Sequence, residues 1–259
     1  MADDMSNAAA YEPNLLARYR GQKPDAPAWF EAAIATPYET HIVAVDGIKI
    51  HYQTYGDRTK PGLLLAHGNG AHAHWYDFIA PALAEDYYVV SMTFSGMGDS
   101  DWRSTYSFPT FAEEQLAVCE HAGLFEGGRK PVIAAHSFGG FITLHAARKH
   151  ADKFSGVIII DSGIRPPDDE WEGPPRRARG NRAYVSLEAA LARFRLAPPQ
   201  PCEHHYIADY IARHSLKQGE ADNGQTGWIW KFDPGIFVNF EFSAMSSNLL
   251  ADVSCHVAL

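Results

Sequence analysis

The chain has 259 residues, of which 46% are hydrophobic and 20% charged, a globular composition that excludes disorder over most of its length. The formal net charge of −9 argues against nucleic acid or an anionic membrane as a partner bound through the overall field. No apolar stretch approaches the roughly 18 residues of a membrane helix, the N-terminus lacks the apolar core of a secretory signal, and three scattered cysteines give no disulfide framework, so we expect a cytoplasmic protein without a membrane span.

The first predicted elements precede the main series of strands. Residues 1–40 contain four prolines and predict an extended N-terminal arm with a short helix around 28–35. Segments 41–46 and 48–55 are separated by Asp46-Gly47, a pair typical of the tight turn of a β-hairpin. We therefore expect the folded core to begin with a hairpin at residue 41.

A regular alternation of strands and helices follows. Short continuous apolar runs predict buried strands at 62–66, 87–92, 132–135 and 156–160. Amphipathic stretches predict helices near 76–84, 110–123 and 139–150. This alternation indicates an α/β fold with a mostly parallel sheet and helices on both faces, and we place the core at 41–161.

The composition changes after Gly163. Residues 162–245 are rich in Pro, Arg and aromatic residues, and we interpret them as a helical cap inserted over the carboxyl ends of the strands. Within this segment the pattern predicts helices at 187–195 and 205–215 and a glycine-containing loop at 217–227. Residues 246–259 return to the core, and a strand pattern restarts at 253–259.

The aromatic residues of the predicted cap allow two interpretations. They could line an apolar lid that selects a hydrophobic substrate, or they could form a small core of the cap itself, which is the more common role. The residues are Trp171, Tyr184, Phe194, Tyr206, Tyr210, Trp228, Trp230 and Phe232.

The strongest chemical motif is Ala135-His136-Ser137-Phe138-Gly139, which follows a strand pattern and opens a helix pattern. A sharp turn in this setting lifts a serine hydroxyl above the end of the sheet, and small neighbours are needed because the turn brings backbones close. Ala135 stands where this nucleophile motif usually has glycine, and its methyl group is small enough to fit. The alternative is an ordinary helix start with Ser137 as its N-cap.

A second motif, His67-Gly68-Asn69-Gly70, follows the predicted strand at 62–66. Acyl transfer places negative charge on a carbonyl oxygen, which preorganised N–H donors stabilise. We expect the backbone amides of Phe138 and Asn69 to be these donors, with Gly68 and Gly70 allowing close approach. The alternative for this segment alone is a glycine-rich turn without chemistry.

Together these motifs resemble the α/β-hydrolase superfamily. The resemblance covers about 41–161, resumes at 246–259, and depends on HGNG (67–70), SGMGDSD (95–101) and AHSFGG (135–140). It implies that Ser137 is the nucleophile and that Asn69 and Phe138 form the oxyanion hole.

Parts of two motifs are also similar to those of haloalkane dehalogenases. That subfamily and the epoxide hydrolases use an Asp nucleophile, whereas position 137 here is Ser. The resemblance therefore favours a Ser-dependent reaction, and we expect a hydrolase of carboxylic esters with a small hydrophobic substrate. Alternatives are a hydrolase of C–C or amide bonds on the same fold, and a non-catalytic ligand-binding relative that lacks the base.

The catalytic base and acid are incomplete in the sequence. A serine nucleophile needs a histidine base and an acid that orients it, and in this family both usually follow the serine on later strands. Asp161 is a candidate acid at the end of a strand, although a role in capping the turn is favoured. No histidine in the chain is a good candidate: His256 would lie at the amino end of its strand, and His67 and His136 are expected to make structural hydrogen bonds.

The last predicted strand begins just before the chain stops. Without further strands, the strand at 156–160 would lack outer neighbours and present an apolar edge. We therefore expect a truncated version of a chain of about 300 residues, weak or inactive as an enzyme on its own.

No cofactor is expected. The clusters His72 with His74, and Cys202 with His204 and His205, lack the spacing of a zinc site. No Walker loop or G-x-G-x-x-G fingerprint is present. The oligomeric state does not follow from the sequence.

Overall fold

The computed structural model describes residues 14–163, 180–241, 249–250 and 253–259. These residues belong to two compact units. The described parts of Met1–Ala28 and Gly180–Lys231 form the smaller unit, and those of Trp29–Arg179 and Phe232–Leu259 form the larger. The boundaries of the cap, 162–245, stay a prediction.

The strands and helices follow in chain order. The strands are β1 (Glu39–Val45), β2 (Ile48–Tyr55), β3 (Gly62–Ala66), β4 (Tyr88–Met92), β5 (Tyr106–Ser107), β6 (Val132–His136), β7 (Gly156–Ile160), β8 (Leu216–Glu220), β9 (Thr226–Trp230), β10 (Phe240–Glu241) and β11 (His256–Ala258). The helices are α1 (Ala28–Ile34), α2 (Ala80–Leu83), α3 (Phe108–His121), α4 (Phe138–His150), α5 (Leu187–Leu191) and α6 (His205–His214).

One large sheet organises the larger unit. Seven strands of the described residues join in the order β1-β2-β4-β3-β6-β7-β11. Strands β1 and β2 are antiparallel to their neighbours, and β4, β3, β6, β7 and β11 run parallel. The predicted α/β fold with a mostly parallel sheet is therefore confirmed.

The opening hairpin has the predicted turn. Val45 pairs with Ile48, and the two residues between them, Asp46 and Gly47, have φ values of 52° and 79°. Two positive φ values match the twist of the flanking strands, as in the turns that Asp-Gly favours.

Adjacent residues of the central strands alternate between two buried clusters. Leu64 and Val90 face a cluster that contains residues of α3 and α4. Leu63 and Val89 face a second cluster with Ala80 of α2. Because both faces are covered, the strands are continuous apolar runs rather than alternating ones.

The predicted loop at 217–227 is wrong. Strands β8 and β9 form an antiparallel hairpin there, and Gly219 pairs with Gly227. Residues 221–225 connect the strands, and the backbone of Tyr184 bridges to Trp228 beside Gly227. A Cβ on Gly227 would overlap the Tyr184 carbonyl oxygen, so this glycine permits a close backbone approach within a sheet.

The expectation that the strand at 156–160 lacks an outer neighbour is also wrong. Strand β11 pairs with β7 in parallel, with His256 opposite Gly156 and Ala258 opposite Ile158. The three residues of β11 thus supply the partner along the first part of β7.

No helix within the described ranges combines the length and the apolar character that a membrane crossing requires.

Candidate active site

Ser137 occupies a strained turn between β6 and α4. Its φ and ψ are 49° and −116°, a sparsely populated conformation for a residue with a side chain. The Ser137 N–H donates to the Ile160 carbonyl of β7 at 2.8 Å. Its hydroxyl caps none of the first amides of α4, so the alternative in which Ser137 is an ordinary N-cap has no hydrogen bond to support it.

Glycines let two backbone segments meet closely at this turn. A Cβ on Gly139 would lie 2.5 Å from the His67 carbonyl oxygen and 3.0 Å from that of Ala66. A Cβ on Gly68 would lie 3.2 Å from Ser137 Cβ. The start of α4 and the loop after β3 are therefore packed as closely as backbones allow, and the segment 67–70 lies beside the serine.

The two predicted oxyanion donors lie in different environments. Asn69 is exposed and is followed by Gly70 at φ 70°. Phe138 is the first residue of α4, where backbone N–H groups have no partner within the helix. The positive end of the helix dipole adds to the attraction of such a position for negative charge.

The ring of Phe138 is held in an aromatic cluster. It is 8% exposed, and its centroid lies 5.6 Å from that of Phe111, 5.7 Å from Phe108, 5.9 Å from Phe240 and 6.1 Å from Phe237. Edge and tilted contacts of this kind fix the side chain, and with it the start of α4.

His67 has a structural role, as the sequence predicts. Its Nε2 accepts the Phe94 N–H at 3.0 Å, so the proton of the neutral ring is on Nδ1, which donates to the Gly68 carbonyl at 2.7 Å. Burial lowers the pKa of His67 to about 4. The ring is therefore neutral at pH 7 and joins the loop after β3 to the loop after β4.

A buried ion pair that no sequence motif predicts supports the loop after β4. Glu114 of α3 is fully buried, and its carboxylate accepts from the Ser95 N–H at 2.9 Å, the Ser95 hydroxyl at 2.6 Å and Arg103 Nε at 2.7 Å. Burial raises the pKa of Glu114, and the donors of Ser95 and Arg103 oppose that shift. Only a long-range contact brings these residues together, so no spacing in the sequence signals the pair.

Asp161, the candidate acid, follows β7 with a φ of 49°. Its side chain is 90% exposed, and Oδ2 lies 4.0 Å from His136 Nε2. Burial lowers the pKa of His136, while Asp161 raises it. His136 pairs with Ile160 across β6 and β7, so Ser137 and Asp161 begin neighbouring turns at the carboxyl edge of the sheet.

The remaining histidines are not brought to Ser137 by any described hydrogen bond. His256 begins β11 opposite Gly156, at the amino edge of the parallel strands, as the sequence predicts. His205 Nδ1 pairs with the Tyr19 hydroxyl at 2.8 Å within the smaller unit. In the described part of the chain, no group of three or more His, Cys, Asp or Glu side chains is arranged to hold a metal ion.

The aromatic residues of the predicted cap divide between the two units. In the smaller unit Phe194 is buried, with its ring 6.2 Å from that of Trp230, an arrangement typical of a small core. In the larger unit the backbones of Phe232 and Met97 form an isolated β-bridge. The Phe232 ring lies 3.9 Å from the position that a Cβ on Gly70 would occupy. Trp171 lies outside the described residues.

Comparison with protein families gives a match over most of the chain. Residues 63–259 match a family model described as alpha/beta hydrolase family. The chain is 27% identical over 120 residues to the uncharacterized hydrolase YugF of Bacillus subtilis, covering 46% of this chain and 42% of that protein. It is 24% identical over 182 residues to the esterase Rv0045c of Mycobacterium tuberculosis, covering 68% and 57%. The chain thus spans about half the length of the curated relatives it matches.

Among solved structures, the chain is similar to a thioesterase domain from the curacin biosynthetic pathway. The TM-score is 0.65 at 18% identity, and the match covers 86% of this chain and 82% of that one. At this identity the likeness concerns the fold alone.

Proposed function

Because this chain belongs to the alpha/beta hydrolase family, we propose that it hydrolyses carboxylic esters with Ser137 as the nucleophile. The backbone of Ser137 carries this proposal: it has a strained φ of 49° between strand β6 and helix α4, and its hydroxyl caps no amide of that helix. Strain of this kind persists only where the surroundings impose it, and it concentrates at functional sites.

In the proposed reaction, Ser137 Oγ attacks the ester carbonyl carbon and loses its proton to a base. The backbone N–H groups of Phe138 and Asn69 stabilise the negative oxygen of the tetrahedral intermediate. The intermediate collapses as the C–O bond to the alcohol breaks, and the alcohol takes up the proton. Water then attacks the acyl-enzyme in the same way and releases the carboxylic acid.

The proposal assigns the base to none of the described histidines. His67 is engaged by Phe94 and Gly68, and His256 lies at the opposite edge of the sheet. We propose that Asp161 is a turn residue and not the catalytic acid. Its exposed carboxylate faces His136, the residue just before the nucleophile, and does not orient a separate histidine base.

A hydrophobic substrate is proposed on two grounds. The Phe232 ring stands beside Gly70 of the loop that would bind the oxyanion, and the backbone of Phe232 is held by a β-bridge to Met97. The relatives of the chain include the lipase LipV and the esterase Rv0045c of Mycobacterium tuberculosis. An apolar group next to the reacting carbonyl would bury its surface against such side chains.

The test is a panel of p-nitrophenyl esters of increasing acyl length, beside matched amides and diketones, with Ser137→Ala as the comparison. We expect weak ester turnover, because no base is assigned, that is highest for apolar acyl groups and is lost in Ser137→Ala. Turnover of amides or diketones without esters would contradict the ester assignment. Equal ester turnover in Ser137→Ala would contradict the nucleophile.

A further inference from the structure

We infer that Ser162 is a positioning residue that aims the backbone N–H of Phe138 into the oxyanion hole; this inference rests on the proposed function. The Ser162 hydroxyl donates to the Ser137 carbonyl oxygen at 2.8 Å. Ser162 follows β7, two residues after Ile160, and is half-buried. The Ser162 hydroxyl thus links the end of β7 to the strained turn that follows β6.

The planarity of the peptide bond connects this contact to the oxyanion donor. The Ser137 carbonyl and the Phe138 N–H belong to one rigid trans peptide unit, in which C=O and N–H point in opposite directions. Any group that fixes the direction of the carbonyl therefore fixes the direction of the N–H. Ser162 holds the carbonyl end of the unit from which Phe138 would donate.

A second hydrogen bond reaches the same carbonyl. The Gly140 N–H donates to Ser137 O at 2.9 Å, and a carbonyl oxygen can accept two such bonds. The peptide unit before Ser137 is held as well, since the Ser137 N–H donates to Ile160 O at 2.8 Å. Strand β7 and its following turn thus hold both peptide units that flank the nucleophile.

Gly140 makes room for this arrangement. A Cβ on Gly140 would overlap the Ser162 hydroxyl and would lie 3.1 Å from Ser162 Cβ. Glycine is less favourable than alanine inside a helix. Its presence in the first turn of α4 is explained by the approach of Ser162, which no larger residue would allow.

The turn that carries Ser162 is itself unusual. Asp161 has a φ of 49°, the same as Ser137, and these two residues follow the paired positions Ile160 and His136. The positive φ bends the chain sharply after β7 and brings position 162 back over the nucleophile turn. Small displacements of catalytic groups cost large factors in rate.

The test compares three substitutions at one position in the full chain. Ser162→Ala removes the donor, Ser162→Cys fills the volume with a weak donor, and Ser162→Thr keeps the hydroxyl. We expect kcat for a p-nitrophenyl ester to fall about 10- to 100-fold in Ala and Cys, less than the loss of a whole oxyanion donor, with KM within about threefold. Thr should recover most of kcat, and Ser155→Ala, an exposed serine before β7, should match the parent.

A second readout separates positioning from general stability. An alkyl boronic acid, which forms a tetrahedral adduct on a serine nucleophile, should bind Ser162→Ala more weakly by the same factor as the fall in kcat/KM. Unchanged kcat and boronic acid affinity in Ser162→Ala would overturn the inference, as would equal losses in Ser155→Ala. If Ser137→Ala keeps full turnover, both the proposed function and this inference are wrong. If Ser137→Ala loses turnover but Ser162→Ala leaves kcat and boronic acid affinity unchanged, only this inference is wrong.

Discussion

The Cα of Gly68 lies so close to Ser137 that an added Cβ would stand 3.2 Å from the serine Cβ and 2.8 Å from His136 Nδ1. The loop after β3 and the turn after β6 thus meet with no room for a side chain. This contact places the two segments that would hold the oxyanion side by side.

Gly68→Ala should therefore damage the site more than the fold. The methyl group must push the loop away from Ser137, and we expect kcat to fall at least about tenfold, with a loss of unfolding free energy of about 1–3 kcal/mol from overpacking. Ester turnover and urea unfolding measure the two effects. Gly163→Ala is the matched control, because a Cβ there would lie within 4 Å of no atom of the described residues. Equal behaviour of the two variants would contradict the close packing.

The neutral, buried His67 predicts a pH dependence of stability. Its pKa of about 4 in the folded state lies below the ordinary value of 6.5, so the unfolded chain binds the proton more readily. Stability is then fully present above about pH 6.5 and is lost as pH falls toward 4, by about 3 kcal/mol at 1.36 kcal/mol per pKa unit.

Denaturant unfolding between pH 4 and pH 7 checks this sign. His67→Gln should show a flatter dependence, by about that amount, because its side chain does not titrate. His256→Gln, at an exposed histidine, should keep the slope of the parent. A parent slope that survives in His67→Gln would contradict the assignment.

The buried ion pair between Glu114 and Arg103 should contribute far more to the free energy of unfolding than the exposed pair between Glu126 and Arg58. Both carboxylate oxygens of Glu114 accept hydrogen bonds from Ser95 or Arg103. Glu114→Gln leaves only one oxygen as an acceptor, and breaking a buried pair lowers the free energy of unfolding by about 3–5 kcal/mol. Glu126→Gln makes the same change in the exposed pair with Arg58, where about 0–1 kcal/mol is expected. Guanidinium unfolding of both variants measures the difference, and similar values would show that the buried pair does not stabilise the loop at Ser95.

Asp161→Asn tests the role of the candidate acid. Asn tolerates the positive φ of this position nearly as well as Asp, so the turn should survive. If Asp161 is a turn residue, kcat for an ester changes by less than about threefold. A fall of about 10,000-fold, as expected when an acid no longer orients its base, would instead assign it the catalytic role.

The elements of the larger unit could be predicted from the sequence because their signals are local. The run at 62–66 matches β3, which is buried on both faces and is therefore short and continuously apolar. The run at 156–160 matches β7, in which Ile158 and Ile160 are exposed. The Asp46-Gly47 turn is equally local. The hairpin of β8 and β9 could not be predicted in this way, because Gly219 and Gly227 are typical of loops until they pair with each other.

The site residues show the same difference between local signals, which the sequence contains, and long-range contacts, which it does not. The strained turn at Ser137 follows from a motif of five consecutive residues, and the glycine loop that contains Asn69 follows from a motif of four, at 67–70. Ser162 and Glu114 were missed because their contacts join positions 25 and 19 residues apart. The existence of such contacts depends on how β7 and α3 pack, which no local pattern contains.

The most direct test of the central claim is the site of covalent labelling by a fluorophosphonate, read by intact mass and peptide mapping. The account predicts one phosphonyl group on Ser137, full labelling of Ser155→Ala, and none of Ser137→Ala. A parent protein that stays unmodified under excess reagent, or carries the label at another residue, would contradict Ser137 as the nucleophile.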